Sequence, residues 1–214
     1  MTLEHTVKQG EGLTSIAQKY GVSFEKIWND PENDQLKRKR KNPNILYPGD
    51  VVYIPYKETK EELGVTETKH RFKLKKSIHI LRLAVEVSEI GRMANEAYEL
   101  TIDNNIYKGI TDADGMIKET LPADSKTGRL KVGEEVWELC IGWLNPIDRD
   151  TKDEGLSGAQ GRLTNLGYLV GPVSGMMDSM TEMALKYFQA DEGLELTGKL
   201  DEATRNKLVK VHGC

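Results

Sequence analysis

Cysteine is nearly missing from this chain of 214 residues. Cys140 and Cys214 are the two present, and they form neither a metal-ligand spacing nor a disulfide framework. Long apolar runs are missing too. No stretch approaches the roughly 20 apolar residues a bilayer crossing needs, so no transmembrane segment is expected. Met1-Thr2-Leu3-Glu4-His5 carries no basic region ahead of an apolar one, and no secretion signal is read there. Nor does one sign of charge dominate: 30 Lys and Arg stand against 34 Asp and Glu, net −4, which gives nucleic acid no electrostatic footprint. His5, His70, His79 and His212 fall at no metal-binding spacing, and neither metal nor cofactor is expected.

What is present reads as three units in a row. With 38% hydrophobic and 30% charged residues, the composition is that of a globular protein long enough for two or three small cores. In the first unit, Thr6-Val7-Lys8 alternates as a strand, and Gly10-Glu11-Gly12 interrupts it. Leu13, Ile16, Ala17 and Tyr20 then recur at helical spacing until Gly21. Ser23 is an N-cap for a helix carrying Phe24, Ile27 and Trp28, and Asp30-Pro31 is a further start signal that predicts a short helix from 31 to about 41. Asn42-Pro43-Asn44-Ile45-Leu46-Tyr47-Pro48-Gly49-Asp50 forces a turn-rich loop into a β-branched strand, Val51 to Ile54. The basic run Lys37-Arg38-Lys39-Arg40-Lys41 is read as a solvated helix end, with contact to an anionic surface as its alternative.

These two ends, His5 to Leu13 and Asn42 to Pro55, resemble a LysM module, a β-α-α-β domain that binds N-acetylglucosamine-containing glycans such as peptidoglycan. The resemblance implies glycan contacts at Gly10, Glu11, Gly12 and Leu13 on one side and at Asn44, Ile45, Leu46 and Tyr47 on the other. Backbone donors and an apolar Leu46 or Tyr47 suit amide, hydroxyl and methyl groups of the sugar. The helix expected after Asp30 departs from the common pattern. This longer form resembles LysM modules beside phage-tail-like and type VI secretion components, which implies a secretion-machine or phage-tail-like protein partner.

Lys57 to Lys69 is charged and reads as a linker. Beyond it, Ile78 to Val87, Tyr98 to Ile102, Ile106 to Ile110, Met116 to Leu121, Leu130 to Val132 and Val136 to Trp143 read as strands of an all-β sandwich. Ala94 to Leu100 followed by Gly109-Ile110-Thr111-Asp112-Ala113-Asp114-Gly115 resembles transthyretin-like or carboxypeptidase-regulatory-like domains, a transthyretin/Ig-like sandwich. Its expected role is a spacer or a docking surface. Asp112 and Asp114 lack the remaining ligands of a calcium loop.

Residues 147–154 read as a second charged linker. After it, Leu156, Ala159, Leu163 and Leu166 mark one helix, Met180, Ala184, Leu185 and Phe188 a second, and Asp201 caps a third carrying Leu208. Leu166-Gly167-Tyr168, Ala184-Leu185, Phe188-Gln189, Thr197-Gly198 and Leu200-Asp201 resemble the three-helix peptidoglycan-binding domain 1 family. That resemblance makes Tyr168, Gln189, Thr197 and Gly198 a tentative second glycan site. Ser174 and Met177 stand where the family usually has an Asp and an aromatic.

The expected fold class is multidomain α+β: a βααβ LysM unit over 1–56, a central β-sandwich over 70–146, and a three-helix module over 155–210. No paired carboxylates, zinc set or Cys–His arrangement is evident, so the expected function is non-catalytic peptidoglycan binding, as an anchoring or adaptor component of a contractile injection or type VI secretion-like system, acting at the cell wall or periplasm by way of the injection machinery. The alternative is a cell-wall-targeted effector or a subunit of a peptidoglycan hydrolase.

Overall fold

Three hydrophobic cores follow one another along the chain in the computed structural model, which describes residues 2–57, 66–69, 78–87 and 91–213. The expected linker at 57–69 lies mostly outside the described residues, as do residues 70–77 and Cys214. Cys140 is an exposed free thiol.

In the first unit, β1 (Thr2–Thr6) pairs antiparallel with β2 (Val51–Pro55), and Leu3 faces Ile54. Between them run α1 (Leu13–Tyr20), α2 (Phe24–Trp28), a 3-10 turn (Pro31–Asn33) and α3 (Asp34–Lys39). The strand read at Thr6-Lys8 lies earlier. Val7 leaves the ladder because its N–H donates to Asp50 O and its carbonyl accepts from Gly49 N–H. Ser23 caps α2 by accepting from Lys26 N–H at 3.2 Å, and Asp30 accepts from Glu32 N–H at 3.0 Å. Val7, Leu13, Ile16, Ile27, Leu36, Leu46, Val52 and Ile54 close the core.

The extra turn after Asp30 is built into this unit. Asn33, 1% exposed, donates to Ile27 O at 2.8 Å and Tyr53 O at 2.7 Å, and accepts from Tyr53 N–H at 2.8 Å. One side chain thereby imitates an additional ladder step along β2 and fastens it to the end of α2.

The middle unit contains β3 (Ile78–Ala84), β4 (Glu86–Val87), β5 (Gly91–Arg92), β6 (Ala97–Ile102), β7 (Asn105–Ile110), β8 (Met116–Pro122), β9 (Thr127–Val132) and β10 (Glu135–Cys140). A four-stranded antiparallel sheet of order β10-β9-β6-β7 packs against the β3–β8 ribbon, with Leu100 opposite Leu130 and Tyr98 opposite Val132. Alternation sends Leu100, Ile102, Ile117, Leu121, Leu130 and Val132 inward and leaves Ile78 and Ile80 outward. The Asp112 carboxylate accepts from Asp114 and Met116 N–H, which gives it a turn-closing role. Tyr98 donates to Glu119 at 2.6 Å, and its pKa is pushed up to about 12 by burial together with that carboxylate.

The last unit is α4 (Leu156–Asn165), α5 (Ser179–Asp191) and α6 (Glu202–His212). Asp178 and Asp201 cap the latter two by accepting from Thr181 and Thr204 N–H. Ala159, Leu163, Ala184, Leu185, Phe188 and Leu208 form the core, and Ile147 joins them from upstream. Residues 147–154 are therefore packed rather than a free linker. Arg205 Nη1 donates to Ile147 O, while Arg162 Nη1 donates to Asn145 O at 3.0 Å. Gly155 (φ +78°) makes the turn between this segment and α4, where an added Cβ would lie 2.1 Å from Ile147 O.

Asn33→Ala should leave a buried N–H and two carbonyls of the first unit unpaired, lowering its stability by about 2–3 kcal/mol. Chemical denaturation monitored at Trp28 checks this; a change below about 0.5 kcal/mol would mean that β2 is held without Asn33.

Candidate functional site

The loops at 10–13 and 42–47 meet, as the sequence implies. Leu13 N–H donates to Pro43 O at 3.0 Å, and Thr14 Oγ1 donates to Asn44 Oδ1 at 2.8 Å. Most backbone donors in the loops are already engaged. Glu11 N–H donates to Lys8 O, Gly12 N–H to Ser15 Oγ, Asn44 N–H to Asn42 Oδ1, Ile45 N–H to Asn42 O and Tyr47 N–H to Asp50 Oδ2.

Side-chain placement divides the eight candidates. Leu13 and Leu46 are core residues. Glu11 turns inward, with Oε2 accepting from Lys8 N–H at 2.9 Å and lying 2.8 Å from His5 Nε2. Burial alone would raise the Glu11 carboxyl, but the Lys8 N–H and His5 outweigh it and hold the pKa below the usual carboxylate value. Gly12 is buried against Asn44. Asn44 is exposed, and Gly10, Ile45 and Tyr47 are half-buried. Those four carry the accessible surface of the two loops. A shallow depression elsewhere on this unit, lined by Ser23, Glu25, Asn29, Pro31, Pro55 and Tyr56, includes none of the eight.

Sequence periodicity gave no sign of what lies beside the loops. Residues 142–153, upstream of α4, run against them. The Trp143 indole rests on Gly10, and Gln9 Nε2 donates to Trp143 O at 2.9 Å and to Asn145 Oδ1 at 3.2 Å. Further along, the Asp153 carboxylate lies close enough to Tyr47 that it adds to burial in raising the phenol's pKa.

Arg40 fixes the same contact. It is 2% exposed, unlike its neighbours Lys37, Arg38, Lys39 and Lys41, so neither sequence-based account of the basic run holds for it. Its Nε and Nη2 donate to the two oxygens of Asp50 at 2.8 and 3.1 Å, and Nη1 donates to Asp150 at 2.6 Å. Asp148 stands 3.7 Å from Nη1. Burial pushes the guanidinium pKa down, but Asp50 and Asp150 more than compensate and raise it. For Asp150, burial is outweighed in turn by Arg40 and Lys39, which hold its carboxyl below the usual value.

The second set of candidates is engaged in holding the fold. Gln189, 0% exposed, donates to Thr197 Oγ1, Lys199 O and Thr204 Oγ1 and accepts from Gly198 N–H. Gly198 is buried with it, and Thr197 donates to Asp201 at 2.8 Å. Tyr168 donates to Asp191 at 2.8 Å and packs edge-on to Phe188; burial and then Asp191 drive its pKa upward. Of the tentative second site, Gln189 and Gly198 are interior, and the hydroxyls of Tyr168 and Thr197 are engaged with Asp191 and Asp201. Among the described residues no three His, Cys, Asp or Glu side chains group closely enough to hold a metal ion, and no helix is long and apolar enough to cross a membrane.

Residues 5–55 match the LysM domain model, and residues 152–208 match the family described as "Putative peptidoglycan binding domain". The chain carries both domains. It is also similar to the "Probable autolysin SsaALP" of Staphylococcus aureus (strain NCTC 8325 / PS 47), with 43% identity over 51 residues, 24% of this chain and 16% of that protein. No solved structure matches the chain.

Two outcomes test the contact between the terminal units. Arg40→Ala strands the buried Asp50 carboxylate and removes the tie to Asp150, and should cost about 3–5 kcal/mol in thermal or chemical melts. Acid should weaken the same contact. The folded pKa of Asp150 lies below its unfolded value, so its contribution is complete above about pH 4 and is lost as the pH falls through the folded pKa. Melts from about pH 5 to about pH 2.5 should show less acid sensitivity in Asp150→Asn than in the natural chain; identical slopes would remove Asp150 from the account.

Proposed function

We propose that this protein binds peptidoglycan without cleaving it and acts at the cell wall as an anchoring or adaptor component. The observation that carries the proposal is the presence in one chain of a LysM domain and a peptidoglycan-binding domain, at 5–55 and 152–208. Within the first, the accessible surface of the two loops offers Gly10, Asn44, Ile45 and Tyr47 to an N-acetylglucosamine-containing glycan, with Asn44 for hydrogen bonds and Ile45 and Tyr47 for apolar contact. Glu11, Gly12, Leu13 and Leu46 shape the loops from behind. The middle unit is free to serve as a docking surface for a protein. Neither the matched domain models nor the curated relative names a contractile injection machine.

A second reading has a specific observation behind it. The curated relative is named as a probable autolysin, which favours association with a peptidoglycan hydrolase, as a subunit or as its targeting part. Zymography on peptidoglycan-containing gels separates the two: a cleared band from the purified chain would replace the non-catalytic proposal.

Purified chain mixed with insoluble sacculi should be recovered in the pellet, and soluble peptidoglycan fragments should release it. Equal recovery in the supernatant with and without sacculi would sink the proposal.

A further inference from the structure

Trp143 lies outside the residues matched by either domain model, between the middle unit and the segment that feeds α4. It is a large aromatic left 51% exposed at a place where the backbone is held from both sides. Gln9 donates to its carbonyl and to Asn145 Oδ1; Asn145 donates to Ser157 Oγ at 3.0 Å and its carbonyl accepts from Arg162. The ring rests on Gly10, where an added Cβ would stand 3.0 Å from the indole nitrogen and 3.3 Å from Cδ1. An added Cβ would crowd the indole, and Gly10 with φ +81° holds a backbone conformation that side-chain-bearing residues rarely adopt. Among the described residues the indole N–H has no hydrogen-bond partner.

A scattered surface aromatic is unremarkable. This one is immobilised, has a donor to spare, and adjoins one of the two loops that the proposed function assigns to glycan. We propose that Trp143 extends the LysM glycan site: the exposed indole stacks on the apolar face of an N-acetylglucosamine ring, and its N–H donates to a sugar hydroxyl or acetamido oxygen. This rests on the glycan-binding reading of the 10–13 and 42–47 loops. The chemistry suits the ligand, since a pyranose offers a C–H face for an aromatic and oxygens at its rim for an indole N–H. It also offsets a shortage in the loops, whose backbone donors are largely consumed internally. The resulting site is composite, because its aromatic wall comes from a segment tied to the C-terminal unit.

Titration of the full-length chain with the N-acetylglucosamine pentamer tests this, by calorimetry and by the indole N–H resonances, with the Trp143 signal assigned through Trp143→Phe. The Trp143 signal should shift on binding, and Trp143→Ala should bind about tenfold more weakly, the loss expected for one aromatic contact. The melting temperature of that variant reports whether its fold survives, and the resonance shift in the natural chain does not depend on the variant at all. Pentamer binding with an unmoved Trp143 signal and an unaltered Trp143→Ala affinity would overturn the extension and leave the proposed function standing. Tighter binding by Trp143→Ala would also overturn it, making the indole a cover over the loop. Absence of binding to both the pentamer and sacculi would overturn the proposed function and the extension together.

Discussion

A buried guanidinium must find its full set of acceptors or the chain will not bury it, and the position of Arg40 follows from that requirement. Asp50 supplies a bidentate acceptor from the same unit, and it is itself aligned by accepting Tyr47 N–H. The remaining nitrogen reaches Asp150, 110 residues away in sequence. The contact therefore does two jobs at once. It closes the loop that carries Tyr47, and it fixes the segment preceding α4 against the N-terminal unit.

The middle unit takes on a different place in consequence. An in-line spacer would hold the two terminal modules apart. Instead the chain leaves the first unit after β2 and comes back beside Gly10 at Gly142 and Trp143, so the middle unit is an excursion between two modules that touch. The buried arginines of the last unit reinforce this, because Arg162 and Arg205 both hold carbonyls of the 145–147 segment.

The LysM loops show the same economy of donors. A loop that zips to its neighbour through Leu13, Thr14 and Asn44 is well ordered, but each N–H used in the zipper is withdrawn from a ligand. In the proposed glycan site, exposed side chains at the loop edge then carry more of the contact. In the C-terminal module, Gln160 and Gln189 each satisfy both ends of a buried amide by closing a neighbouring turn, which explains why Gln189, a surface candidate by motif, serves the interior.

Local rules were sufficient for much of the chain. Ser23, Asp30, Asp178 and Asp201 act at helix starts through their own side chains, and the period-two runs at Tyr98–Ile102 and Leu130–Val132 place their apolar residues inward, because capping and alternation involve neighbours within a few positions. The two loops of the LysM unit were legible for the same reason, with proline, glycine and asparagine marking them. The interior fate of Leu13, Leu46, Gln189 and Gly198 was not, since a motif gives position along a helix or loop and not the depth at which it packs. Arg40 looked like one of five basic residues in a solvated run, and residues 147–154 looked like a linker, because composition registers charge without registering its partner. Only the tertiary structure brought Asp50 and Asp150 to one guanidinium and Trp143 to Gly10: those contacts join residues ten to more than a hundred positions apart, and their burial exists only once the chain has folded.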